Sequence, residues 1–333
     1  MMNKRIKKKI IVVLALVLVL IGSGAFVFRK PLAMLAFDIF LSDRVVSTLE
    51  EKSYKPLDGN GDVTTPIVET VKPFSVLLLG TDQRGHETAR SDTMIYAVIR
   101  PKESKVLLVS IPRDTYTEII GRGKKDKINH SFAFGGQLMA KNTMEALLDH
   151  KLDYYATINF VGLRDAVDEL GGVELPIEKD IVNKGVDHEK FTIKANQSIY
   201  NGTDALNYVR YREDSDFNRT KRQQVFLNQV ANKLMNLNQI IKIPQLLDIM
   251  GSNLQTDMKP KFIIDLSKQL LTRSEVQITS YTVMGESIRL NGISYDRVDE
   301  EDLKFAQDSI DNWMDDTIPT DQLLMPEDQD KAE

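Results

Sequence analysis

The chain reads as an α/β layered domain carried behind one N-terminal membrane-spanning helix. Short apolar runs alternate with segments of helical periodicity between Phe74 and Met314, the pattern of strands interleaved with helices. An uncharged apolar run, Ile10 to Phe28, follows the basic residues Lys4, Arg5, Lys7, Lys8 and Lys9. No cysteine occurs in 333 residues, so the domain must be held by its own core, and its length permits one.

Nineteen helical residues rise about 28 Å, close to the hydrocarbon thickness of a bilayer. The basic flank stays in the cytoplasm, which puts everything after Phe28 outside, as a single-pass anchor with an extracytoplasmic domain. The rival is a cleaved signal peptide ending near Gly22-Ser-Gly-Ala25, but the run is longer than a signal core usually is. Pro31 to Leu49 keeps helix-like apolar spacing (Leu32, Leu35, Ala36, Ile39, Phe40) and reads as a stalk. Tyr54 to Lys72, with Asp-Gly-Asn-Gly-Asp and Thr-Thr-Pro, reads as a linker. The expected division is a basic segment 1–9, a span 10–28, a stalk and linker 29–72, a domain 73–314 and an acidic tail 315–333.

Within the domain, Phe74-Ser-Val-Leu-Leu-Leu-Gly80-Thr-Asp82 is a buried strand ending in a loop. Met94–Ile99 and Val106–Ile111 are the next strands. A helix near Gln137–His150 leads to a strand near Tyr154–Phe160, and a helix Val161–Leu170 stops at Gly171-Gly172. A helix from Arg219 to about Leu237 follows, then a helix near Lys261–Thr272, a strand near Val276–Val283 and a helix near Glu300–Met314. Phe132, Phe134, Leu138, Leu147, Phe160, Leu163, Val167 and Leu170 are mostly core. The tail from Asp315, acidic and containing prolines, reads as disordered.

The most informative stretch runs from Arg210 to Gln224 and holds four arginines within thirteen residues. Arg210 and Arg212 alternate as if on one face of an extended segment. Arg219 and Gln223 stand four apart near a helix start, where backbone N–H groups and the dipole favour an anion. Guanidinium forks bind phosphate oxygens bidentately, so several arginines together suit a ligand with more than one phosphate. A solvated helix start, paired with Glu213, Asp214 and Asp216, is the alternative. Three strand ends add Asp82, then Arg90 and Asp92, then Arg113 and Asp114; two such carboxylates could hold one Mg2+, or could simply cap turns.

Composition narrows the function. Residues 1–30 hold seven of the 43 Lys and Arg and no acid, leaving 36 bases against 48 acids, a formal −12 outside. A negative domain is a poor non-specific binder of nucleic acid, so the arginine cluster is a local feature. Without cysteine there is no thiol catalysis, disulfide or sulfur-ligated zinc. The four histidines, at 86, 130, 150 and 188, lack metal-ligand spacing. No Walker loop, nucleophile elbow or dinucleotide fingerprint occurs.

Taken in order, Leu79-Gly-Thr-Asp82-Gln-Arg84, Arg90-Ser-Asp92-Thr93, Ile111-Pro-Arg113-Asp114, Lys127-Ile-Asn129, Gly171-Gly-Val173 and Val209-Arg-Tyr-Arg212 through Gln224 resemble the LytR-CpsA-Psr family of cell-envelope transferases. The match covers roughly Pro73 to Leu237; His130 and Ser131 replace the small residues usual after Lys-Ile-Asn. The resemblance implies a three-layer α-β-α sandwich with a mixed central sheet. It implies a long apolar pocket for a polyprenyl chain with pyrophosphate at its mouth. It also implies transfer of an anionic glycopolymer, teichoic acid or capsule-like, from undecaprenyl pyrophosphate to peptidoglycan. On that reading Arg84, Arg90, Arg113, Arg210, Arg212, Arg219, Arg222 and Gln223 contact the pyrophosphate. Asp82 and Asp92 hold Mg2+, and Asp82, Asp92, Arg90 and Arg113 are catalytic. Two alternatives stay open: a pyrophosphate hydrolase using the same site, and a non-catalytic lipid-phosphate-binding regulator. No nucleic acid is expected as partner.

Overall fold

The computed structural model describes residues 42–57, 72–82, 90–185, 190–211, 213–214, 216–234, 243–272 and 276–327. In chain order its elements are α1 (Ser42–Thr48), β1 (Phe74–Asp82), β2 (Arg90–Arg100), β3 (Lys105–Ile111), β4 (Tyr116–Ile119), β5 (Lys124–Lys127), α2 (His130–Leu148), β6 (Tyr154–Asn159) and α3 (Phe160–Glu169). There follow β7 (Ile181–Asn183), β8 (Phe191–Ile193), α4 (Gly202–Arg210), α5 (Asp216–Leu234), α6 (Ile243–Met250), β9 (Leu254–Thr256), α7 (Pro260–Thr272), β10 (Gln277–Thr282), β11 (Gly285–Leu290), β12 (Ile293–Val298) and α8 (Glu300–Met314).

Six strands form one mixed sheet in the order β10-β3-β2-β1-β6-β9. β1 pairs parallel with β6, and β3 parallel with β10, while β2 runs antiparallel to both β1 and β3. The strands β1, β3, β6 and β10 therefore point the same way, and their carboxyl ends share one edge.

Helices flank the sheet on both faces, which is why the strands are almost continuously apolar. Leu77, Leu79, Met94, Tyr96, Val109 and Ile111 face one side, against Ala140, Met144 and Leu148 of α2 and Ala306, Ile310 and Trp313 of α8. The alternate residues Val76, Ile95, Ala97 and Leu108 face the other side, against Phe262 of α7 and Leu227 of α5. A satellite core joins Val167 of α3, Ala205, Tyr208 and Val209 of α4, and Phe226 of α5. The Gly171-Gly172 stop has φ of +78° and +80°, backbone that side chains rarely adopt. A Cβ on Gly172 would also sit 2.5 Å from the Tyr200 carbonyl, where Val173 bridges Tyr200.

Both ends of the predicted domain need correction. The expected stalk and linker 29–72 overlaps the fold, because α1 and the π-helical turn after it pack into the domain. Val45 and Leu49 are buried, Arg44 Nη2 lies 2.7 Å from Asp248 Oδ2, and Tyr155 Oη donates to the Lys55 carbonyl at 2.6 Å. The tail is packed, not disordered, through Glu327. Leu323 is buried against the main core, and Trp313 Nε1 donates to the Leu324 carbonyl at 2.9 Å. Arg100, 1 % exposed, gathers the carbonyls of Trp313, Asp315 and Ile318 at 3.0, 2.8 and 2.9 Å. Acidic composition hid three apolar anchors, Ile318, Leu323 and Met325, that pay the ordering entropy.

The predicted membrane span falls outside the described residues, and among those described no helix is long and apolar enough to cross a membrane. Of the residues assigned to core, Phe134 and Leu138 are exceptions, at 41 % and 44 % exposed.

Candidate active site at the carboxyl edge of the sheet

In open α/β sheets, ligands bind beyond the carboxyl ends of the parallel strands. Here the register brings the predicted residues to that edge from three strands. Asp82 is the Cα partner of Arg90, Gly80 of Thr93, and Met94 of Ile111, two residues before Arg113. Arg113 Nη1 lies 2.5 Å from Asp92 Oδ1, and its Nε lies 3.7 Å from Asp114 Oδ2. Asp114 Oδ1 in turn meets Lys127 Nζ at 2.9 Å, so charges alternate along Asp92, Arg113, Asp114 and Lys127. The Asn129 N–H donates to the Arg113 carbonyl at 3.2 Å, which ties the start of α2 to the same loop.

Arg210 reaches this edge by a different route. It is the last residue of α4, and Tyr211 then turns to extended backbone, so Arg210 closes a helix where the sequence suggests an extended segment. The start of α4 is held by Asn201, whose side chain accepts from Asp204 N, and by Asp168 Oδ1, which accepts from Gly202 N at 2.7 Å. Its other end carries the Arg210 guanidinium to 6.0 Å from the centre of the Phe160 ring. Phe160 lies against Gly80, where an added Cβ would come within 3.2 Å of the ring. The sequence groups Phe160 with residues that are mostly core, and its position after the capping Asn159 gives no signal that an arginine stands over it.

Helix α5 begins at Asp216, earlier than expected, and Gln224 staples it to the same edge. Gln224 Nε2 donates to Ser110 Oγ at 3.2 Å, the Tyr281 carbonyl at 3.2 Å and Thr282 Oγ1 at 2.9 Å, at the ends of β3 and β10. Arg219 and Gln223 share the buried side of α5, at 4 % and 8 % exposed, which excludes a solvated surface for Arg219. Arg222 is held by the carbonyls of Tyr208 and Tyr211 and lies 2.8 Å from Asp214 Oδ2. Its guanidinium therefore locks the α4–α5 turn. The Tyr211 phenol in that turn is pushed above its ordinary pKa by burial, then by Asp214 and Glu213. The side chains of Asp82 and Arg90, and all of Arg84 and Arg212, lie outside the described residues.

The model of the LytR_cpsA_psr family matches residues 42–311. The chain belongs to this family. The match begins at α1, in agreement with the packing of that helix into the domain. A relative named polyisoprenyl-teichoic acid–peptidoglycan teichoic acid transferase TagU, from Bacillus subtilis, is 32% identical over 315 residues, covering 91% of this chain and 96% of that protein. The protein of the same name from Bacillus cereus is 36% identical over 271 residues, covering 79% and 83%. Among solved structures, TagT bound to LIIa-WTA superposes with a TM-score of 0.63 at 29% identity, covering 78% of this chain and 98% of that one.

The residue after the family's Lys-Ile-Asn turn is His130, and here it is a local fixture. Its Nδ1 lies 3.1 Å from Asp126 Oδ1, and its ring meets Phe134 edge-on at 5.8 Å. Burial pushes the Asp126 carboxyl up, but His130 and the Lys127 N–H outweigh it and hold the group below its ordinary range. Among the described residues no group of three or more His, Asp or Glu could hold a metal unaided.

Proposed function

We propose that this LytR-CpsA-Psr protein is a transferase of substituted phosphate groups that moves an anionic glycopolymer from a polyprenyl pyrophosphate to peptidoglycan. The observation that carries this reading is the Asp92–Arg113 pair at the carboxyl edge of the sheet, with Arg210 and α5 converging on the same edge. The names of the relatives support the polymer and the acceptor.

In the proposed reaction, an acceptor hydroxyl oxygen bonds to the glycan-bearing phosphorus. The bond from that phosphorus to the bridging oxygen breaks, and undecaprenyl phosphate leaves with the electron pair. Asp82 or Asp92 takes the hydroxyl proton. Phosphoryl transfer depends mainly on positioning and on neutralising charge. Arg113, Arg210 and Arg219, with Arg84, Arg90, Arg212 and Gln223, would hold the phosphate oxygens, while Arg222 would keep the turn between them in shape.

An Mg2+ ion fits this donor set, because the carboxylates of Asp82 and Asp92 come from paired strands and offer hard oxygen without sulfur. Those two residues would hold it, and it would supply further charge neutralisation at the pyrophosphate. The expected assay result is phosphoglycan transfer from a synthetic polyprenyl-pyrophosphate donor to peptidoglycan fragments. Donor cleavage at an equal rate without acceptor would make the protein a hydrolase; donor binding with no cleavage would make it a regulator.

The Ile10–Phe28 run is proposed as a retained anchor that holds the domain outside, beside a lipid donor. Protease added to intact protoplasts should digest the domain. Full protection, or a mature chain beginning near Ala25, would overturn the anchor.

A further inference from the structure

The hairpins β4–β5 and β11–β12, neither of them expected from the sequence, lie side by side next to the site. Thr115 bridges Asp296, and Asp296 N donates to the Asp114 carbonyl at 2.9 Å. Tyr116 and Tyr295 meet across the join, with ring centres 4.9 Å apart at 61°. Lys127, which pairs with Asp114, stands 5.7 Å from the Tyr295 ring, and Lys125 stands 5.9 Å from the Tyr116 ring. Ile293, two residues before Tyr295 and so on the same face of its strand, is 51 % exposed. These residues form a ledge of rings and ammonium groups that begins at the Arg113–Asp114 corner.

We propose that this ledge seats the peptidoglycan acceptor, an inference that rests on the transferase reading above. Sugar rings present apolar C–H faces that pack on aromatic rings, and carboxylates on the strand's peptides would meet Lys125. The donor's anionic polymer fits worse. Glu118 is the cross-strand partner of Lys125, and Glu286 that of Arg297, so acids interrupt the cations on these faces. Closely repeated phosphates would be repelled there, while a glycan with sparse carboxylates would not. Continuity with the Asp92–Arg113 pair would bring a bound strand's hydroxyl to the reacting phosphorus.

The test uses the full chain in lipid nanodiscs, a synthetic polyprenyl-pyrophosphate glycan donor and soluble undecorated peptidoglycan fragments. Tyr295→Ala should raise the acceptor KM about three- to tenfold, the range expected for losing one ring contact. Lys125→Glu, at an exposed position with little role in folding, should raise it at least about twofold. The donor KM should not move with either variant. An unchanged acceptor KM in both variants overturns the ledge, and so does a rise confined to the donor KM. A wild type that cleaves donor but never transfers overturns the transferase reading itself, and the acceptor role falls with it.

Discussion

Replacing Asp92 with alanine is expected to lower the transfer rate by about 1000-fold or more. That scale is the loss of several kcal/mol of charge stabilisation from a preorganised site. Asp92 has two tasks at the carboxyl edge: it orients the Arg113 guanidinium at 2.5 Å, and it is one of two carboxylates proposed to hold Mg2+. Asp82→Ala should act on the second task and give a comparable loss. The Asp92→Asn variant separates the tasks. It keeps an oxygen for Arg113 but lowers the negative charge, so it should stay inactive while melting like the wild type. Mg2+ titrated into protein treated with chelator should restore wild-type transfer and raise the melting temperature in the presence of donor, and Asp92→Asn should lose both responses. Full activity of the alanine variants in saturating EDTA would remove the metal and both assignments.

Arg113→Lys and Arg210→Lys should each cut transfer by roughly 30-fold to 1000-fold, the cost of about 2–4 kcal/mol for one preorganised donor. Lysine keeps the charge but loses the fork that grips two phosphate oxygens. Neither change should shift the melting temperature much, because both guanidiniums sit at the rim of the sheet. Arg222→Lys is the contrast. That side chain ties the Tyr208 and Tyr211 carbonyls to Asp214, so its loss should lower activity and melting temperature together. Near-normal transfer by Arg113→Lys and Arg210→Lys would show that these arginines do not clamp phosphate. Activity lost only in step with unfolding would make them structural.

The legible parts of this chain are those where local chemistry is also the global answer. The runs in β1, β2 and β3 are apolar on both faces because both faces are covered, so they read as buried strands without any alternation to follow. Helix α8 was expected at Glu300–Met314 and lies there, since Asp299 caps it with its own carboxylate on Glu301 N and Asp302 N. The exposed hairpins β4–β5 and β11–β12 gave no such signal. Their residues are polar or charged on most positions, and the pairing between strands, not apolar periodicity, makes them hairpins.

The site divides in the same way. The residue types at strand ends, Asp82, Asp92, Arg113 and Asp114, were readable because acids and arginines gathered at the ends of buried strands more often mark a site than a core. Their order along the chain was specific enough to imply the family. Which of them touch was decided by the register of β1, β2 and β3, and register follows from how the two apolar faces pack, a property of the assembled sheet. The arginine-rich stretch shows the limit most clearly. Its charge pattern suggests an anion site, yet the same pattern could not tell Arg210, proposed here to hold phosphate, from an Arg222 spent on locking a turn. For Arg210 that distinction depends on Phe160, which comes from a separate part of the chain and meets it only when α3 and α4 dock. For Arg222 it depends on how the turn carrying Tyr208, Tyr211 and Asp214 folds back on α5. By itself, the sequence determined the chemistry on offer at the ends of the strands. Tertiary packing assigned each guanidinium its partner, because an interaction worth a few kcal/mol exists only at distances that long-range contacts set.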